Sequence, residues 1–119
     1  MIKDPSFVST RDFVLIKSKK EDMRFSTEYA LLDLEYDIDD VLARLSELTL
    51  EEYSETLLDK DDVDPPALYV FGKLINGKLV YIKLKMRESE QRKVICVSFH
   101  YARKNMRFPF SKGNDERRE

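Results

Sequence analysis

"LYVFGKLINGKLVYIKLKM", Leu68 to Met86, is the stretch whose reading decides the fold. Apolar and polar residues alternate at a period of two on both sides of Asn76-Gly77. An Asn-Gly pair is the strongest short hairpin signal, because both central positions of the tight turn take positive φ. Two antiparallel strands therefore meet here. A third, "KVICVSF" from Lys93 to Phe99, follows the polar connection "RESEQR". "MRFPF", Met106 to Phe110, is expected to add a short edge strand, a position that a proline such as Pro109 tolerates.

Upstream of the hairpin the period changes to near 3.6. Asp37 is a good N-cap, and Ile38, Val41, Leu42, Leu45 and Leu48 recur at i, i+3, i+4, i+7 and i+10, which predicts an amphipathic helix. Another helix starts near Ser26 and carries "EYALLDL". Thr49 with Glu52 makes a capping box that predicts a shorter helix to about Leu58. Ser9 or Thr10 is the expected cap of a first helix to about Lys20, with Phe13 and Ile16 on its apolar side. "DKDDVDPP" closes the helical half, since two prolines cannot continue a helix, and its carboxylates read as a solvated linker rather than a cation site. The expected architecture is one α+β domain over residues 1–112, N-terminal helices packed on a C-terminal antiparallel sheet of three or more strands. Residues 113–119 are expected to be a flexible C-terminal tail.

The 119 residues, 42% hydrophobic and 37% charged, include no run approaching the roughly 18 apolar residues of a membrane helix. Lys3, Asp4, Arg11 and Asp12 break up any apolar leader, so a cytoplasmic protein without membrane association is expected. The single cysteine, Cys96, cannot build a disulfide framework or a zinc cluster and reads as a small core residue. The net charge of −2 conceals a strong asymmetry. Phe25 to Pro66 holds fourteen acidic against two basic residues, whereas Ala67 to Lys112 holds two acidic against eleven basic. A basic block of that size favours a phosphate-rich partner.

Alternation assigns side chains to sheet faces. Val80, Ile82, Leu84 and Met86 form one set, leaving Tyr81, Lys83 and Lys85 on the other. In the third strand Ile95, Val97 and Phe99 are the expected core set, with Cys96, Ser98 and His100 opposite. If the strands pair, Tyr81, Lys83, Ser98 and His100 share a face away from the helices. That face suits RNA cleavage without a metal. Attack of a ribose 2′-OH on the adjacent phosphate needs a base, an acid and cations, and histidine serves either proton-transfer role near neutral pH. The candidate catalytic residues are Tyr81, Lys83, His100 and Arg103; Lys73, Lys85 and Arg107 are candidate RNA-binding cations, and no metal or other cofactor is expected. The bland alternative is a strand-end histidine bonded to backbone, beside lysines that serve solubility.

The order "FSTEYALLDLEYDIDDVLARLSELTLEEYSET", "LYVFGK", "GKLVYIKLKM" and "VICVSFH", from about Phe25 to His100, resembles the MqsR family of bacterial toxins, mRNA interferases with a RelE-like fold. Tyr81 and Lys83 match that family's strand tyrosine and lysine, and His100 falls where members commonly carry lysine in "SFKE". Ser54 stands where the family's helix segment has a functional lysine, and "PPALYV" replaces a glutamine-bearing segment. The resemblance implies a metal-independent endoribonuclease of mRNA, inhibiting translation and growth. It also implies a cognate antitoxin with a zinc-binding domain and a helix-turn-helix domain, so that zinc belongs to the partner. Two other classes stay open: a non-catalytic binding module, and a degenerate toxin that retains only antitoxin binding.

Overall fold

Asn76 and Gly77 adopt φ values of 52° and 79°, so both turn residues take the left-handed backbone that joins two antiparallel strands without splaying them. They connect β3 (Ala67–Ile75) to β4 (Lys78–Glu88) in a computed structural model that describes residues 13–17, 22–58, 67–88 and 92–111. The expected cap at Ser9 or Thr10, the "DKDDVDPP" segment and the tail 113–119 lie outside the described residues.

The architecture is α+β: two α-helices and a five-stranded mixed sheet in the order β1-β5-β4-β3-β2. The helices are α1 (Thr27–Leu34) and α2 (Ile38–Ser46). Both start where their caps dictate. Ser26 Oγ accepts from Tyr29 N at 3.1 Å, and Asp37 and Asp40 exchange two backbone-to-carboxylate bonds of 2.9 Å. β5 (Arg92–Tyr101) runs antiparallel to β4. Among the described residues no helix is long and apolar enough to cross a membrane.

The expected segregation of N-terminal helices from a C-terminal sheet does not hold, because a strand precedes the helices. Phe13–Leu15 forms β1, not a helix, and pairs parallel to β5 with Phe13 opposite Val94 and Leu15 opposite Cys96. Ile16 N continues the pairing to Cys96 O at 2.9 Å. The physical reason is the open edge of β5, whose backbone groups need partners, and an apolar FVLI segment that supplies them while burying Phe13. The helix expected from Thr49 to Leu58 is also shorter than read. Glu52 caps Thr49 N at 3.0 Å, but only one 3-10 turn, Leu50–Glu52, follows. Tyr53–Leu58 then becomes β2, which covers the other edge of the hairpin beside β3. "MRFPF" adds no strand. Met106 and Phe108 instead lie over Gly72, where the missing side chain leaves them room.

Val80, Ile82, Leu84, Val94, Cys96, Phe99 and Tyr101 face the helices and cluster with Leu31, Val41, Leu42 and Leu45. The expected core pair Ile95 and Val97 is half-buried on the opposite side, and Cys96 is fully buried. A bulge between the pairs Lys83–Ser98 and Leu84–Cys96 leaves Val97 unpartnered and inverts the faces of β5 on its N-terminal side. Met86 is exposed rather than buried. Burial pushes the Cys96 thiol up to about 12, so it stays a protonated, inert core group.

Candidate active site

On the face away from the helices the register builds two rows across the sheet. Gly72 pairs with Tyr81 and Tyr81 with His100; one step along, Val70 pairs with Lys83 and Lys83 with Ser98. Residues directly opposite in an antiparallel pair project to the same side. Tyr81, Lys83, Ser98 and His100 therefore share one face. The Tyr81 and His100 rings stack, their centroids 5.2 Å apart and their planes 10° from parallel. Lys83 Nζ sits 5.7 Å from the centre of the Tyr81 ring.

After β5 the chain turns back across this face as a strap, residues 102–111. Phe108 and Met106 pack where a Cβ on Gly72 would stand, and Phe110 packs on Tyr53 with ring centroids 5.7 Å apart. Between strap and sheet lies a cavity of about 440 Å³ whose wall includes Tyr81, His100, Glu55 and Ser54 from the sheet and Arg103 and Arg107 from the strap. Lys104 and Asn105 complete the strap side. Arg103, Lys104 and Arg107 are all exposed, so a cationic rim surrounds an aromatic wall.

The two central groups have distinct proton chemistry. Burial first, then the Glu55 carboxylate, pushes the Tyr81 phenol above its ordinary value, which keeps it a proton donor at neutral pH. His100 Nδ1 lies 3.1 Å from the carbonyl oxygen of Tyr101. A carbonyl only accepts, so this bond places a proton on Nδ1 and, in the neutral ring, the lone pair on Nε2.

The structure thus brings Tyr81, His100, Arg103 and Arg107 to one cavity and sets Lys83 behind Tyr81. It does not bring Lys73 or Lys85 there. Lys73 belongs to the helix-side face, opposite Val80, and bonds Glu52 at 3.2 Å. Lys85 is 8% exposed, opposite Leu68 and Ile95, and lines no part of the cavity. Glu55 and Lys104 are the charged cavity residues that sequence reasoning misses, with Asn105, Ala102 and Met106 beside them. Reading "YSETLL" as a strand beside β3 would have placed Glu55 on the sheet, but the register shift between Tyr53 and Glu55, beside which Ser54 and Glu55 both line the cavity, has no mark in the sequence pattern. Among the described residues no cluster of three or more His, Cys, Asp or Glu gathers.

Comparison with protein-family models, with curated proteins and with solved structures finds no match in any of the three. Fold and site by themselves define an α+β domain with a basic, aromatic-walled cavity on the helix-free face of its sheet.

Proposed function

We propose that this chain is a metal-independent endoribonuclease that cleaves mRNA, the RelE-like toxin of a bacterial toxin-antitoxin pair that its resemblance to the MqsR family implies. The observation that carries the proposal is the stacked Tyr81–His100 pair in a cavity rimmed by Arg103, Lys104 and Arg107. His100 takes the 2′-hydroxyl proton through Nε2. The 2′-oxygen bonds to phosphorus as the bond to the 5′-oxygen of the next nucleotide breaks. Tyr81 hands its phenolic proton to that departing oxygen, a far stronger base than phenolate, and water later restores both residues to their starting states. The products are a 2′,3′-cyclic phosphate and a 5′-hydroxyl. Arg103 and Arg107 hold the phosphate charge, and Lys83 stabilises the transient phenolate. Growth inhibition follows from loss of message, and the partner is an antitoxin that carries its own zinc.

A second reading rests on Ser54. It lines the cavity where the family resemblance calls for a lysine, which fits a degenerate toxin that retains only antitoxin binding. Incubating the purified chain with a defined RNA, with and without EDTA, separates the two. The expected result is EDTA-resistant cleavage leaving cyclic-phosphate ends, blocked by a single 2′-deoxy substitution at the cut site and slowed at least about 100-fold in Tyr81→Phe. A 5′-phosphate product or cleavage abolished by EDTA overturns the proposal, and absence of any cleavage supports the second reading.

A further inference from the structure

On the other side of the strap's first four residues lies a second cavity, of about 490 Å³, which the chemistry above does not use. Ala102, Arg103, Lys104 and Asn105 line both cavities, so the two sit on either side of one short spur of chain. The far wall of the second comes from Arg24 and Phe25, from Tyr29 on α1, and from Lys78 and Tyr101 at the end of the sheet where the hairpin turns.

Its residues are held in place by rings. The Arg103 guanidinium lies 4.9 Å from the centre of the Phe25 ring, and Arg24 lies 5.6 Å from the same ring. Lys78 Nζ lies 4.9 Å above the Tyr101 ring, while Tyr29 meets Tyr101 edge-on at 6.2 Å. Two carboxylates brace the arrangement from outside the lining: Asp22 bonds Arg24 at 2.8 Å, and Asp33 bonds Lys78 at 3.1 Å and accepts from the Tyr101 hydroxyl. Four cations, Arg24, Lys78, Arg103 and Lys104, against these two carboxylates leave the site net positive. Tyr29 is 36% exposed and offers an aromatic surface beside that charge.

Cations that follow a backbone together with aromatic rings that accept bases are the two components of single-strand recognition. We propose that this second cavity is a subsite for single-stranded RNA, holding the part of the strand beyond the nucleotides at the Tyr81–His100 cavity, with the strand crossing the spur at Arg103 and Lys104. The identification of the ligand as RNA rests on the function proposed above. The subsite gives a short substrate and a long one different affinities: a trinucleotide fills the first cavity, and an octanucleotide reaches both.

The test measures binding of 2′-O-methyl RNA, which cannot be cut, by fluorescence anisotropy across a salt series. The double variant Arg24→Ala/Lys78→Ala is compared with the parent chain, and thermal unfolding checks that it folds. The expected result is a loss of about tenfold in octanucleotide affinity, with a log–log salt slope shallower by about 1.4, since each lost single-strand phosphate contact removes about 0.7. Trinucleotide affinity stays unchanged. Equal octanucleotide binding by both proteins overturns the subsite, and if the parent chain nonetheless cleaves RNA, the proposed activity stands without it. Loss of octanucleotide binding in the double variant of a chain that cleaves nothing upholds the subsite and sinks the activity. A glutamate octapeptide that loses affinity in the double variant, while RNA binding does not change, overturns the assignment in favour of an acidic protein segment.

Discussion

One inserted residue, Val97, determines which sheet face each side chain of β5 takes on its N-terminal side. Strict alternation holds from His100 to Ser98, so the shared face of Tyr81, Lys83, Ser98 and His100 was legible from the period-two pattern once the strands pair; the register that sets His100 opposite Tyr81 was not, because the Asn-Gly turn joins β3 to β4 and not β4 to β5. Beyond Ser98 the alternation fails, because "VICV" is apolar on both sides and nothing in its pattern marks where the bulge falls. Away from the cavity, Asp33 links α1 to the sheet through the Tyr101 hydroxyl and Lys78. These two bonds hold its carboxyl below the ordinary value of 3.8. A carboxyl depressed on folding contributes stability that is complete above its unfolded value and is lost as pH falls through its folded value. Asp33→Asn is therefore expected to melt below the parent at about pH 6, and the two melting curves should converge as pH falls below the ordinary carboxyl range of about 4. A melting difference that stays constant over that fall would show that the bonds contribute no proton linkage.

At the scale of elements, the features legible in sequence are those with local causes. The Asp37 cap, the Ser26 start and the Asn76-Gly77 turn each rest on residues within four positions of one another. The elements misread, β1 and β2, are both sheet edges, and their state is set by a neighbour distant in sequence. "TLEEYSETLL" carries a sound capping box, yet after one turn the free edge of β3 captures Tyr53 to Leu58. The strap has a similar dependence. A Cβ on Gly72 would approach Phe108 Cζ to 2.7 Å and Met106 Sδ to 2.9 Å, closer than packed side chains tolerate. Gly72→Val should lift the strap from the sheet and speed amide hydrogen exchange over residues 102–111, leaving exchange in β4 and β5 unchanged. RNA cleavage should fall with it, since Arg103 and Arg107 lose their positions. Unaltered strap exchange in that variant would mean that Gly72 does not seat it.

Across the whole molecule, the fold resolves the sequence's charge asymmetry. Lys73 of the basic half reaches Glu52 of the acidic half and is neutralised on the helix side. The cations on the strap, Arg103, Lys104 and Arg107, remain exposed at the opposite face, where they rim the Tyr81–His100 cavity. Charge counts alone made the basic block legible but not which of its lysines stay uncancelled, because cancellation depends on the strand order. Under the proposed function the resulting field draws RNA to the cavity, and the proposed chemistry then turns on one ring. The most direct measurement is single-turnover cleavage of a defined RNA in EDTA by the parent chain and by His100→Ala. The rate should fall at least about 100-fold in the variant while RNA affinity changes little; undiminished cleavage by His100→Ala would contradict the account.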